Sequence, residues 1–205
     1  MEKNDAAKPE MNFRIKMVLV LVVFLLPLGY AIYLKVTGWR PSQTTNYGSL
    51  VIPAIPLKDV RLTTVDGKAA SLKDFEHHWL LVTFSGAPCN DACERNIYKM
   101  RQTRIAQGKH QMRVRRLLVL TGDPSTVSKD RFKDYPGMVV VTGPGKGIDD
   151  LGRQFVTADG TALDGRNRIY LVDPLGNLMM SYDADADASG IRKDLGRLLR
   201  VSRIG

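Results

Sequence analysis

Histidine and cysteine are the scarce residues of this 205-residue chain. There are three of the first (His77, His78, His110) and two of the second (Cys89, Cys93). Two cysteines exclude a disulfide-dense scaffold and a four-cysteine zinc site. A three-histidine zinc centre would need every histidine present. His77 and His78 are neighbours, and on an extended chain they point to opposite faces, so one site does not hold both. They read as solvated loop residues ahead of a strand, and His110 as an exposed residue of a basic stretch. Aromatic residues make up only 7%. None is interleaved with Arg101, Arg104, Lys109, Arg113, Arg115 and Arg116, so the stacking platform of a nucleic-acid binder is missing there. That stretch reads as a solvated face. No repeat recurs at solenoid periods.

What the chain has in excess is positive charge and one apolar run. Lys and Arg number 30 against 21 Asp and Glu, a formal net charge of +9. Residues 17–34 read MVLVLVVFLLPLGYAIYL, with no charge. At about 1.5 Å per residue they cover about 27 Å, near the hydrocarbon thickness of a bilayer. Tyr30, Tyr33 and Trp39 stand toward the far end, where amphipathic rings favour the interface. Lys3, Lys8, Arg14 and Lys16 precede the run, while only Lys35 and Arg40 follow closely. That bias puts the N-terminus in the cytoplasm and the remainder outside. A cleavable signal has a shorter apolar core and a small-x-small cleavage site, so a retained anchor is expected. Either reading exports the domain, which sets it apart from nucleic acid.

The expected organisation is a cytoplasmic tail over 1–16, a transmembrane helix over 17–34, a linker over 35–56 and a folded domain over 57–205. In that domain Asp66-Gly67 reads as the turn of a hairpin. Residues 79–84 (WLLVTF) and 114–120 (VRRLLVL) read as strands covered on both faces. Residues 91–107 predict a helix stopped by Gly108, 124–134 another, and 148–155 a short third. Residues 138–141, 168–172 and 177–182 predict strands, the last two joined by the turn Asp173-Pro174-Leu175-Gly176. Ile191, Leu195, Leu198 and Leu199 recur at helical spacing and predict a terminal amphipathic helix. This alternation predicts a mixed α/β sandwich. The glycine run at 143–147 lacks phosphate-loop spacing and reads as a plain loop. Asp183, Asp185 and Asp187 lack the glycine and late glutamate of a calcium loop and read as a capping connection.

The candidate chemistry lies in FSGAPCNDAC, residues 84–93. It follows a buried strand and opens a helix. Backbone N–H groups at a helix N-terminus favour a thiolate. A thiolate is the nucleophile of disulfide exchange and a soft ligand for a metal. With three residues between them, Cys89 and Cys93 meet across one helical turn. They are read as a redox-active dithiol or as metal ligands, and a static structural bridge is the other reading.

With the cysteines placed, the chain resembles the Sco family of membrane-anchored cytochrome c oxidase assembly proteins. The layout carries the likeness over residues 12–205: one anchor, a linker, a strand, Cys-x-x-x-Cys, a helix and a late YLVDPLG hairpin. NYGSLVIPAIPL, MRQTRIAQGK, YLVDPLGNLMM and KDLGRLLRVSRIG look closer still to the Sco-like transmembrane proteins of proteobacteria. The resemblance implies a thioredoxin-like fold and a periplasmic domain on the bacterial inner membrane. It implies copper as the metal handled through Cys89 and Cys93. The implied partner is the oxidase subunit that carries the CuA site. Copper-binding members add a histidine five residues ahead of the tyrosine in the YL strand; Gly165 stands there. Asn90 and Glu94 replace the prolines that follow the family's cysteines. No proline precedes the strand at Arg168, where thioredoxin-type oxidoreductases place one. Met179 or Met180 is a soft donor that could help hold copper, though a strand pattern puts both in the core. Two functions are therefore expected: an assembly factor acting by dithiol exchange or copper delivery, or a non-catalytic scaffold whose cysteines form a structural bridge.

Overall fold

The computed structural model describes residues 12–38, 45–142, 146–155 and 167–204. It divides into two compact units, Met1–Thr45 and Asn46–Gly205. The first contains helix α1, Phe13–Thr37, in which no residue is buried. Its length and composition suffice to cross a membrane. It runs beyond residues 17–34 because Arg14, Lys16 and Lys35 are good helix formers. Gly38 ends it in the left-handed region at φ 68°, with its N–H donating to the carbonyls of Leu34 and Lys35.

Among the described residues the second unit is built on eight strands: β1 Ser49–Pro56, β2 Arg61–Thr63, β3 Ala69–Ser71, β4 Trp79–Gly86, β5 Val114–Thr121, β6 Met138–Thr142, β7 Ile169–Val172 and β8 Asn177–Tyr182. Six form one sheet in the order β1-β8-β7-β4-β5-β6, and β2-β3 form a hairpin. β4, β5 and β6 run parallel. β7 lies antiparallel to β4 and to β8. Helices α2 (Asp91–Ile105), α3 (Lys146–Gly152) and α4 (Ala188–Val201) complete the unit.

The period of two along the strands divides the core between the two sheet faces. Leu81, Leu118, Leu120, Leu171 and Met180 meet Ile97 and Met100 of α2 and Ile191, Leu195 and Leu199 of α4. Leu80, Val82, Leu117, Val119 and Tyr170 meet Ile148 and Leu151 of α3, with Leu62 and Phe155. Continuous apolar runs at 79–84 and 114–120 follow from this, because both faces of these strands are covered. The layers form the thioredoxin-like α/β sandwich.

Three expectations need correction. The linker over 35–56 does not extend that far: Ser49–Pro56 is an edge strand paired with β8. Pro53 and Pro56 read as loop residues, but an edge strand leaves one side without ladder bonds. The register shifts between Leu50 and Ile55 where Pro53 stands. The expected helix over 124–134 is two 3-10 turns, Pro124–Thr126 and Lys129–Phe132. Ser128, extended at φ −78° and ψ 123°, separates them. Helix α3 starts two residues early and stops before Phe155. Gly143 to Gly145 of the glycine run, and Gly165, lie outside the described residues.

Candidate functional site

Strand β4 delivers the site. Its last buried residue is Ser85, and Gly86 emerges into solvent. The Ala87 N–H donates to the Thr121 carbonyl at 2.7 Å, which holds the turn to the end of β5. Pro88 follows through a cis peptide bond. Asn90 is the N-cap of α2, and its Oδ1 accepts the Cys93 N–H at 3.0 Å. That bond uses one of the four N–H groups a helix start leaves free. Cys93 therefore occupies the first turn, and Cys89 sits just ahead of the cap.

The two sulfurs are bonded to each other, with the α-carbons 5.5 Å apart. Cys89 is 5% exposed and Cys93 0%. Cys89 lies between exposed Pro88 and exposed Asn90, and both cysteines pack in the core cluster with Ile97 and Met100. The structure therefore brings together the two residues singled out in the sequence. The helix terminus is electropositive. Asp91 and Glu94 in the first turn offset part of that field, and Glu94 is itself paired with Arg131 of the second 3-10 turn.

Met180 does not join the site. It pairs with Leu171, which pairs with Leu81, five residues back along β4 from Gly86 and two strands over. Its sulfur lies 3.7 Å from the Tyr182 hydroxyl oxygen. His77 is exposed, and His78 is bonded through Nδ1 to the Glu76 carbonyl oxygen at 3.0 Å. His110 is half-buried beside the Arg113 guanidinium. Among the described residues no three His, Cys, Asp or Glu side chains gather as a metal site.

Sequence reasoning missed three buried polar groups. Asn96, one turn beyond Cys93, donates from Nδ2 to Thr83 Oγ1 and to the Asn167 carbonyl. It thereby ties α2 to the start of β7. Asp194 on α4 is 2% exposed, and its Oδ2 accepts the Tyr47 and Gly48 N–H groups at 2.9 and 3.0 Å and the Tyr182 hydroxyl at 3.3 Å. Burial, then the Asp194 charge, pushes the Tyr182 phenol up. Arg116 is buried and donates from Nη2 to the Pro136 carbonyl at 2.7 Å. Burial and the nearby Arg104 and Arg101 lower its pKa to about 10. The basic stretch is therefore not one solvated face. Arg104 donates to the Val114 carbonyl, and Arg113 to those of Leu199, Ser202 and Ile204. No periodicity marks an arginine whose partners are distant carbonyls.

Solved structures share this fold. Copper-bound ScoI of Bradyrhizobium japonicum is 22% identical with a TM-score of 0.55, and the match covers 70% of this chain and 99% of that one. Copper-bound yeast Sco1 is 15% identical with a TM-score of 0.60, covering 73% and 95%. BsSco, a member of the Sco family of cytochrome c oxidase assembly proteins with a disulfide switch, is 16% identical with a TM-score of 0.54, covering 75% and 99%. These likenesses show a shared fold. No curated protein matches the chain. The family model for the transmembrane-like, thioredoxin-like, C-terminal domain matches residues 79–202, from the first residue of β4 to just past α4. With the site at the β4–α2 junction and the sandwich around it, the chain belongs to that family of thioredoxin-like domains.

Proposed function

We propose that this chain is a membrane-anchored assembly factor for cytochrome c oxidase whose exported domain acts by thiol–disulfide exchange at Cys89 and Cys93. The observation that carries this reading is the bonded cysteine pair at the N-terminus of α2, in which Cys89 keeps the little exposure there is. In the reduced form the Cys89 thiolate attacks a disulfide between the CuA-site cysteines of the oxidase subunit. One partner sulfur leaves as a thiolate and a mixed disulfide forms. Cys93 then attacks Cys89, releasing the second partner thiolate and closing the Cys89–Cys93 bond. Two electrons pass to the partner, and an upstream dithiol restores the pair. The α1 helix and the Lys/Arg bias ahead of it support an inner-membrane anchor with the domain in the periplasm.

Copper is read as cargo. Two thiolates are soft ligands suited to Cu(I). No histidine follows His110, so an open two-sulfur set fits transfer better than storage. The copper-bound relatives support a copper-handling role of this kind.

The test is capture of the soluble CuA-bearing domain by Cys93→Ser and by Cys89→Ser. A mixed disulfide with Cys93→Ser alone is the expected result. Capture by Cys89→Ser alone reverses the order of attack, and capture by neither removes the exchange reading. The burial of both sulfurs favours one other reading, a structural bridge in a scaffold that docks on the oxidase, and a pair that resists reduction would select it.

A further inference from the structure

We propose that a basic groove along α4 is a docking site for anionic phospholipid head groups, which lays the exported domain against the bilayer. This goes beyond the exchange reading and rests only on α1 being a retained anchor.

The groove has a volume of about 460 Å³ and lies between α4 and the end of α2. Among the described residues His110, Arg192, Lys193, Arg197 and Arg200 line it, and no carboxylate does. Asp194, the one carboxylate within α4, turns its Oδ2 into the fold toward Tyr47 and Gly48. Arg197 reaches its other oxygen at 3.8 Å. Among the described residues neither Arg192 nor Arg200 forms a salt bridge. Gly196 keeps the floor open, since a Cβ there would meet Gln107 Oε1 at 3.3 Å. Gln107 is fixed by donating to the carbonyls of Thr103 and Arg192. A cleft lined by one sign of charge concentrates the opposite ion. A helix with an apolar face in the core and a basic outer face is a pattern of membrane-surface contact.

The start of the folded unit selects the ligand. Tyr47 lies on α4 itself. Its N–H donates to Asp194, its hydroxyl accepts from Lys193 Nζ at 3.0 Å, and that ammonium stands 4.9 Å from its ring centre. Gly190 permits the approach, because a Cβ there would fall 2.8 Å from the Tyr47 Cβ. The chain thus joins the domain one turn from the groove. Only residues 38–45 separate α1 from the domain. Extended, they reach at most about 28 Å. A tether of that reach keeps a bilayer at high effective concentration for this face. A soluble acidic protein has no such advantage.

The experiment uses the full chain in lipid nanodiscs of neutral phosphatidylcholine, with and without one third phosphatidylglycerol. Phenylglyoxal labelling of each arginine is followed by mass spectrometry, with exposed Arg61 of β2 as reference. In anionic discs Arg192 and Arg200 are expected to label about tenfold more slowly than in neutral ones, as several cations at a charged surface imply, with Arg61 unchanged. High salt should restore the rate. The double variant Arg192→Glu/Arg200→Glu should abolish the slowing at Arg197. Equal rates in both discs overturn the proposal, as does equal slowing at Arg61. Slowing that needs an added acidic oxidase subunit overturns the lipid assignment in favour of a protein partner. A chain that does not co-elute with the disc overturns anchor and docking together; one that co-elutes without slowing overturns docking alone.

Discussion

Helices α2 and α4 pack side by side on one face of one sheet, yet they spend their residues differently. Both start at an Asx cap, Asn90 for α2 and Asp187 for α4. Both bury one Asx side chain that fastens a distant segment: Asn96 holds Asn167, and Asp194 holds Tyr47 and Gly48. The first turn of α2 carries the cysteine that closes onto Cys89, with two acids beside it. The outer face of α4 carries four cations and no exposed acid. A helix end placed at the carboxyl edge of the central strands gathers the chemistry, as in other open α/β sheets. A helix at the flank is left to hold the chain and to meet a surface.

The comparison breaks most sharply at Asp194. Replacing it with Ala strands two backbone N–H groups and a phenol in the interior. A loss of about 3 kcal/mol is expected, or a fall in Tm of about 10 °C for a domain of this size. Calorimetry of the variant measures it, and Asp194→Asn, which keeps an acceptor, should recover part of the loss. Asn96→Ala removes a neutral donor shared by two acceptors, so about 2 kcal/mol is expected. Urea titration checks it, and equal costs at the two positions would erase the distinction between the helices.

Removing the disulfide should cost less than its burial suggests. The Cys89→Ser/Cys93→Ser variant opens a loop of a few residues, which chain entropy values at no more than about 2 kcal/mol. A much larger loss in urea would mark the bond as structural. The smallest effect concerns acid. The Ser189 hydroxyl and N–H lower the Asp187 carboxyl below its ordinary value. A depressed acid adds stability above its unfolded pKa and loses it as pH falls through the folded one. The contribution of this cap should fade below about pH 4, and Asp187→Asn should flatten that part of the stability curve.

Much of this was legible in the sequence because it rests on periodicity and punctuation. The buried runs at 79–84 and 114–120, the turns at Gly67 and Gly176, and the spacing of Ile191, Leu195 and Leu199 all reappear as written. The cysteine pair was legible because a buried strand, two thiols and a helix start stand in unbroken order. What escaped depends on long-range pairing. β1 looked like a linker because its prolines mask an edge strand that only β8 completes. Asn96 and Asp194 looked like ordinary polar helix residues, since their partners lie 71 and 147 residues away. Arg116 looked solvated because its neighbours are basic, while strand alternation turns it under α2.

The central claim is that Cys89 and Cys93 exchange electrons with a partner, and the reduction potential of the pair tests it most directly. Equilibrating the full chain with glutathione buffers and counting free thiols by mass spectrometry gives the value. A potential between roughly −270 and −120 mV, the span of known exchange proteins, is the predicted result. A value below roughly −300 mV, the range of structural bridges, would contradict the account.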